Sequence, residues 1–225
     1  MLACAIMVID HLGAIFFHGD PLLRGIGRLA FPLFAYLVAS GYRHTKDPTS
    51  YLGRLFLFSL ISQPFYTYAF HYDTVHFNIF FTLTAGLYGI YAYEKKKSLL
   101  PVLLAGISSE FVRASYGLPG VMMIFVMFYY IENPWKMGLA VLAAAVLGSV
   151  RGIVWRAFTD PSFVLTASYL SHHCITLLLE PLAALSVPLT ALYNGRQGPK
   201  IKYFFYFFYP GHLAILGLIR AFVKH

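Results

Sequence analysis

Apolar residues fall into nine runs separated by short polar or turn-forming breaks. The first fills residues 1–17 and ends at His18, Gly19, Asp20 and Pro21. The second covers about 25–41 and closes on Arg43, His44, Lys46, Asp47 and Pro48. The third, 51–70, ends in the polar stretch 71–76, and the fourth, 77–93, ends at Glu94, Lys95, Lys96 and Lys97. A short fifth run reaches Phe111. A glycine- and proline-rich break with Arg113, Tyr116, Gly117, Leu118, Pro119 and Gly120 follows, and the sixth run covers 121–131. The seventh covers about 137–155. Residues 163–193, broken by Glu180, Pro181 and Pro188, read as an amphipathic segment followed by a span, and the last run covers about 203–222. A helix needs about 20 apolar residues to cross a bilayer. The pattern therefore predicts an all-α, polytopic transmembrane bundle of about nine spans, within a range of roughly eight to ten, as one domain over residues 1–225.

Composition supports that class. The chain is 59% hydrophobic and 12% charged with a mean hydropathy of +0.66, whereas soluble domains carry about 25% charged residues. The net charge of +8 does not point to nucleic acid, because the basic residues sit between apolar runs and form no basic face. Topology and anionic headgroups account for them. Cys4 and Cys174 lack a C-x-x-C spacing, so neither a disulfide framework nor a zinc motif follows. Residues 1–17 lack a basic n-region and a small-residue cleavage site, and read as the first span.

Lysine and arginine distribution gives the orientation. Arg43, Lys46 and Arg54, then Lys95, Lys96 and Lys97, Lys136, and finally Arg196, Lys200 and Lys202 follow the even-numbered runs. Those loops are expected in the cytoplasm, with the N-terminus, of a bacterial cytoplasmic membrane. The opposite side holds His18, Asp20, Arg24, His71, Asp73, His76, Arg113, Arg156 and Asp160, while Arg151, Arg220 and Lys224 dilute the asymmetry. No internal repeat is visible, which argues against a transporter built of inverted halves.

Asp10 and His11 lie within the first run, past its middle. Ionisable groups at that depth are costly in hydrocarbon and mark a site by default. His11 can exchange a proton near pH 7, or it is simply hydrogen-bonded to a neighbouring helix. Adjacent helix residues point about 100° apart, so Asp10 is expected to face a cation elsewhere, with Arg28 nearest by topology. Such a pair is equally a structural requirement. Phe31 and Pro32 predict a kinked helix, which either shapes a pocket wall or is equally a structural kink. His212, between Pro210, Gly211 and Leu213, is the second deep histidine. Gln63 and Asn78 place amides at membrane depth, as cavity lining or as packing. The Tyr116 segment is expected as an outer loop or a re-entrant one. Arg43, His44 and Arg54 are positioned either to hold phosphates of a nucleotide-like cofactor or only to set topology. His172, His173 and Cys174, or His71 with His76, lack zinc spacing, so no metal is expected.

The pieces MVIDHLG, GRLAFPLFAYLVASGYRH, ISQPFY, HFNIFFTL, YGLPG, ALYNG and FFYPGHLAIL, in this order, resemble the TraX family of membrane proteins, named for the F-pilin acetylase. The likeness spans almost the whole chain, and residues 163–181 match poorly. The first-span histidine followed by an F-P motif is also similar to the wider class of transmembrane acyltransferases that modify glycans. The resemblance implies acetyl transfer from acetyl-CoA, arriving from inside, to an amine or hydroxyl of a pilin, glycan or small molecule approaching from outside. It makes His11 the catalytic histidine, as general base or transient acyl carrier, with Asp10 and Arg28 beside it. Phe31, Pro32, Tyr116 and His212 would shape the pocket, and Arg43, His44, Arg54, Gln63 and Asn78 would hold the cofactor. Arg28, Gln63 or Asn78 would stabilise the oxyanion. Two rival readings are a proton-coupled transporter using Asp10, His11 and His212 as a relay, and a structural subunit of a pilus-assembly machine.

Overall fold

A computed structural model of the chain describes residues 1–17, 20–71, 75–160, 162, 164–166, 174, 177–192 and 202–223. Expectations placed on His18, Asp73, Phe163, His172, His173, Arg196, Lys200 and Lys224 lie outside the described residues. The helices are α1 (Leu2–Ile15), α2 (Pro21–Gly27), α3 (Ala30–His44), α4 (Pro48–Phe70), α5 (Ile79–Lys96), α6 (Leu100–Phe111), α7 (Gly117–Tyr129) and α8 (Pro134–Thr159). A 3-10 segment (Glu180–Leu185) then runs into α9 (Ser186–Ala191), and α10 (Lys202–Val223) follows. Among the described residues there is no strand, only an isolated parallel bridge between Phe77 and Ala114.

Three helices start at an Asx-Pro pair. Asp20 accepts from the N–H groups of Leu22 and Leu23 at 3.0 Å, Asp47 from Ser50 and Asn133 from Lys136. The side-chain oxygen satisfies donors that no helical carbonyl reaches, and the following proline has no N–H to leave unpaired. Breaks that read as turn chemistry are therefore helix starts.

The centre of the bundle is α5 against α7. Leu87 and Ile90 of α5 and Val121, Ile124 and Met127 of α7 are fully buried. Gly86 permits the approach, since a Cβ there would collide with the Ile124 side chain. Around this pair, α3, α6 and α8 pack on α7, α4 packs on α5, and α10 packs on α4. α1 touches α2, α3 and α10, and the 3-10 segment lies on α8. The exterior is apolar: Phe56, Leu57 and Leu60 of α4, Leu103, Leu104 and Ile107 of α6, Leu139, Val146 and Leu147 of α8, and Ile215, Leu218 and Ile219 of α10 are exposed. A surface of that extent suits lipid rather than water.

Among the described residues, three segments, Pro21–His44, Pro134–Phe158 and Tyr203–Val223, are long and apolar enough to cross a membrane. Leu2–Ile15, Leu100–Phe111, Gly117–Tyr129 and Leu177–Ala191 are apolar but shorter. The chain is an all-helical membrane protein.

The α6–α7 hairpin is short. Its helices have 12 and 13 residues against 26 in α8, or roughly 18 and 20 Å against 39 Å at about 1.5 Å per residue. The turn between them is tied inward, because Phe77 N–H donates to Arg113 O at 3.1 Å and Ser115 N–H to Phe77 O at 2.9 Å. The recess left at that end of the bundle is a cavity.

Candidate active site

The cavity has a volume of about 920 Å³. Met7, Met123 and Ala145 form its buried floor, and the exposed residues Arg113 and Arg156 stand at its mouth. Asp10 and His11 enter from α1, Arg24 and Arg28 from α2 and its end, Phe31 and Pro32 from α3, Tyr116 from the α6–α7 turn, and Glu180 from the 3-10 segment.

His11 and His212 are both buried and hydrogen-bonded, with 2.8 Å between His11 Nδ1 and His212 Nε2. His212 Nδ1 lies 2.9 Å from the Phe208 carbonyl. That carbonyl can only accept, so His212 Nδ1 carries the hydrogen and, in the neutral ring, Nε2 does not. His212 Nε2 therefore accepts from His11 Nδ1–H. By the same logic His11 Nε2 is left with a lone pair and no protein partner among the described residues. Stacking holds the relay, with Phe208 on His212 at 4.9 Å, while Phe70 meets His11 edge-on at 5.2 Å. α10 runs unbroken through Pro210.

Charge around this pair is organised in ion pairs. Asp10 forms an ion pair with Arg24, not Arg28, with 2.7 Å between Oδ1 and Nη1, and Arg24 Nη1 also donates to the Asp10 carbonyl at 3.3 Å. Gly27 makes the contact possible, because a Cβ there would fall on the Asp10 carboxylate. The expected Asp10–Arg28 pair is thus corrected. α2 brings Arg24 round onto Asp10, while Arg28, one turn further on, pairs with Glu180 at 2.7 Å. Arg28 Nε is buried and has no hydrogen-bond partner among the described residues. Across the cavity, Arg151 Nε donates to Glu110 at 2.6 Å, and its terminal nitrogens donate to the carbonyls of Ser115 and Ala114 at 3.3 and 3.4 Å. Glu110 also accepts from Leu118 N–H at 3.1 Å. This network fixes the α6–α7 turn, whose last residue, Gly117, has φ +49 and opens α7. The Tyr116 segment is therefore a tied turn running directly into a helix.

The pocket wall follows expectation in place but not in form. Pro32 sits in the first turn of α3, where its missing N–H breaks no helical bond, so the bend falls at residues 28–29 rather than at the proline. Phe31 stacks on Tyr116 with centroids 3.8 Å apart, and Gly120 leaves space for the pair.

Five residues expected to hold the cofactor are elsewhere. Gln63 and Asn78 bond each other: Gln63 Oε1 accepts from the Asn78 backbone N–H at 3.1 Å and Nδ2 at 2.9 Å, and Gln63 Nε2 donates to His76 O at 2.7 Å. Asn78 is fully buried and its Oδ1 caps α5. These amides latch α4 to α5 and do not line the cavity. Arg43, His44 and Arg54 lie at the opposite, lysine-rich end. Arg43 pairs with Glu132, His44 donates to Ser40 O, and Arg54 lies over the Tyr51 ring.

The residues that sequence reading missed are Arg24, Glu110, Arg151 and Glu180. The available signal was scarcity. The chain has only nine acidic residues, and Asp10, Glu110 and Glu180 all face this cavity.

A profile described as TraX protein matches residues 1–220 of the chain. Among curated proteins, the chain is similar to a probable fimbrial assembly protein FimC, serogroup H1, of Dichelobacter nodosus. The two are 26% identical over 242 residues, covering 100% of this chain and 95% of the relative. No solved structure matches the chain.

Proposed function

The chain belongs to the TraX family, and from that premise we propose that it is a multi-pass acetyltransferase that moves an acetyl group from acetyl-CoA to an amine or hydroxyl. The acceptor is a pilin, a glycan or a small molecule. The fimbrial assembly name of the Dichelobacter relative supports a pilin. We further propose that the bundle passes the bacterial cytoplasmic membrane about nine times, with the N-terminus and the lysine-rich end in the cytoplasm.

The observation that carries this reading is the hydrogen-bonded relay from the Phe208 carbonyl through His212, which lies behind the cavity wall, to His11, which lines the cavity. The lone pair of His11 Nε2 takes the proton of the acceptor N–H or O–H as the acceptor attacks the thioester carbonyl carbon. The new C–N or C–O bond forms as the carbonyl electrons move to oxygen. The guanidinium of Arg28, a residue that lines the cavity, donates to that oxyanion, an effect typically worth about 3 kcal/mol. Collapse breaks the C–S bond, and the imidazolium returns its proton to the leaving thiolate. His212 holds the His11 tautomer throughout. Asp10, neutralised by Arg24, fixes α2 against α1.

The test is transfer of labelled acetyl from acetyl-CoA to a pilin or amine acceptor by purified protein. His11→Ala is expected to lower the rate by at least about 100-fold, the usual scale for a general base, while the helical content by circular dichroism is unchanged. Full activity in that variant overturns the assignment of His11. Solute counterflow by reconstituted protein without any transfer would favour the transporter.

A further inference from the structure

Tyr116 brings more to the cavity wall than stacking requires. Its ring lies on Phe31 with centroids 3.8 Å and planes 10° apart, and a phenylalanine would serve that contact equally well. The hydroxyl makes no hydrogen bond to any described residue, although Tyr116 is partly buried and lines the cavity. A polar group sheltered from water without a partner is costly. A bound molecule that supplies the acceptor removes that cost.

The surroundings indicate which part of that molecule arrives there. Among charged groups the hydroxyl interacts most strongly with Arg28, then with Asp10, Glu180 and Arg24. It therefore shares one region of the cavity with the guanidinium assigned to the developing oxyanion and with the turn of α1 that carries His11. Its placement is rigid. Tyr116 N–H donates to Oγ1 of the fully buried Thr82 at 3.4 Å. Arg151 holds the carbonyls of Ala114 and Ser115 just before it, and Glu110 holds Leu118 N–H just after it. A donor fixed in this way needs little reorganisation when charge develops in front of it.

We propose that Tyr116 is a second oxyanion donor, a catalytic residue whose hydroxyl hydrogen-bonds the thioester carbonyl oxygen as that oxygen gains charge. The proposal rests on the acyl-transfer reading. Tyr116 keeps its proton throughout. As the acceptor attacks, the carbonyl electrons move to oxygen, and the Tyr116 O–H and the Arg28 guanidinium both donate to it. Collapse returns those electrons to the carbonyl and breaks the C–S bond, and the thiolate takes the proton held by His11.

Purified Tyr116→Phe protein tests this, because it keeps the stacked ring and removes only a hydroxyl that no described protein group uses. In transfer from labelled acetyl-CoA, kcat is expected to fall by about 100-fold or more, the scale of one oxyanion donor. KM and the thermal unfolding temperature are expected to stay at wild-type values, the pattern of a contact made in the transition state. Tyr116→Leu, which also loses the stack, is expected to unfold at a lower temperature than either. A loss in Tyr116→Phe carried by KM alone overturns the proposal, because the hydroxyl would then bind substrate and transition state equally. So does a Tyr116→Phe protein that unfolds as early as Tyr116→Leu, because the hydroxyl would then be structural. Transfer that is absent from wild type sinks the acyl-transfer reading and this proposal with it. His11-dependent transfer that runs at the wild-type rate in Tyr116→Phe sinks this proposal alone.

Discussion

The two charged ends of the bundle use the same side chains for different work. At the lysine-rich end, Arg43 pairs with a Glu132 side chain that is 84% exposed, and Lys97 pairs with Glu94 one turn before it. At the cavity end, the six side chains of the Arg24–Asp10, Arg28–Glu180 and Arg151–Glu110 pairs are only 14% to 28% exposed. An exposed pair contributes about 0–1 kcal/mol and either partner can return to water. A pair sheltered in a membrane cavity cannot release one partner without stranding the other. Charge at the first end is replaceable, and charge at the second is part of the architecture.

The sharpest way to break this contrast is to remove one arginine from each end. Arg151→Ala strands Glu110 and frees the carbonyls of Ala114 and Ser115 that hold the α6–α7 turn. A loss of about 2–3 kcal/mol is expected, below the range for fully buried pairs because these side chains keep some exposure. Arg43→Ala removes an exposed pair and a guanidinium 5.3 Å from the Phe128 ring, with an expected loss under about 1 kcal/mol. Thermal unfolding of both variants in the same detergent measures the difference. Equal losses would erase the distinction between the ends.

Glycines give a second, smaller contrast. A methyl on Gly27 falls on the Asp10 carboxylate, whereas a methyl on Gly53, in α4 near the lysine-rich end, meets nothing within 4 Å. Gly27→Ala is expected to displace Asp10 from Arg24 and reduce acetyl transfer by about tenfold or more, as expected for a lost charge-assisted contact. Gly53→Ala is expected to leave transfer unchanged and raise stability by about 0.5–1 kcal/mol through helix propensity. A Gly27→Ala protein with full activity would show that the Asp10–Arg24 contact does not position α1.

These contrasts mark where the sequence was readable. The apolar runs coincide with helices because burial and lipid exposure both favour apolar residues, and the Asx-Pro pairs mark three helix starts directly. Asp10 and His11 stood out because their position in an apolar run is costly, and His212 for the same reason. The partner of Asp10 did not, since hydropathy records which residues avoid water but not how each helix is rotated against the next. Arg24 and Arg151 looked like topology markers at span ends, and Glu110 lies in the fifth run one residue before its end at Phe111. Only packing shows that each faces a charge of opposite sign. Gln63 and Asn78 misled for a related reason, because an amide at membrane depth is equally a ligand donor or a latch, and here α4 and α5 use both.

The smallest expected effect lies at the exposed cap of α4. Asp47 accepts from Ser50 N–H at 3.0 Å and from the Thr49 hydroxyl at 2.6 Å, and these bonds hold its carboxyl below the usual carboxylate range. A folded-state pKa that is depressed stabilises the protein above the unfolded value, about 3.9, and that contribution is lost as pH falls through the folded value. At pH 7, Asp47→Ala is expected to melt slightly below wild type. Asp47→Asn, which caps without a charge, is expected to stay closer to it. Below about pH 4 the gap between wild type and Asp47→Ala is expected to narrow, because Asp47 of the unfolded chain takes up a proton there before the folded cap does. Melting curves of the three proteins between pH 7 and pH 3 test the sign. A gap that widens on acidification contradicts the capping role, and a loss at pH 7 as large as that of Arg151→Ala would mean that exposure does not separate the two ends.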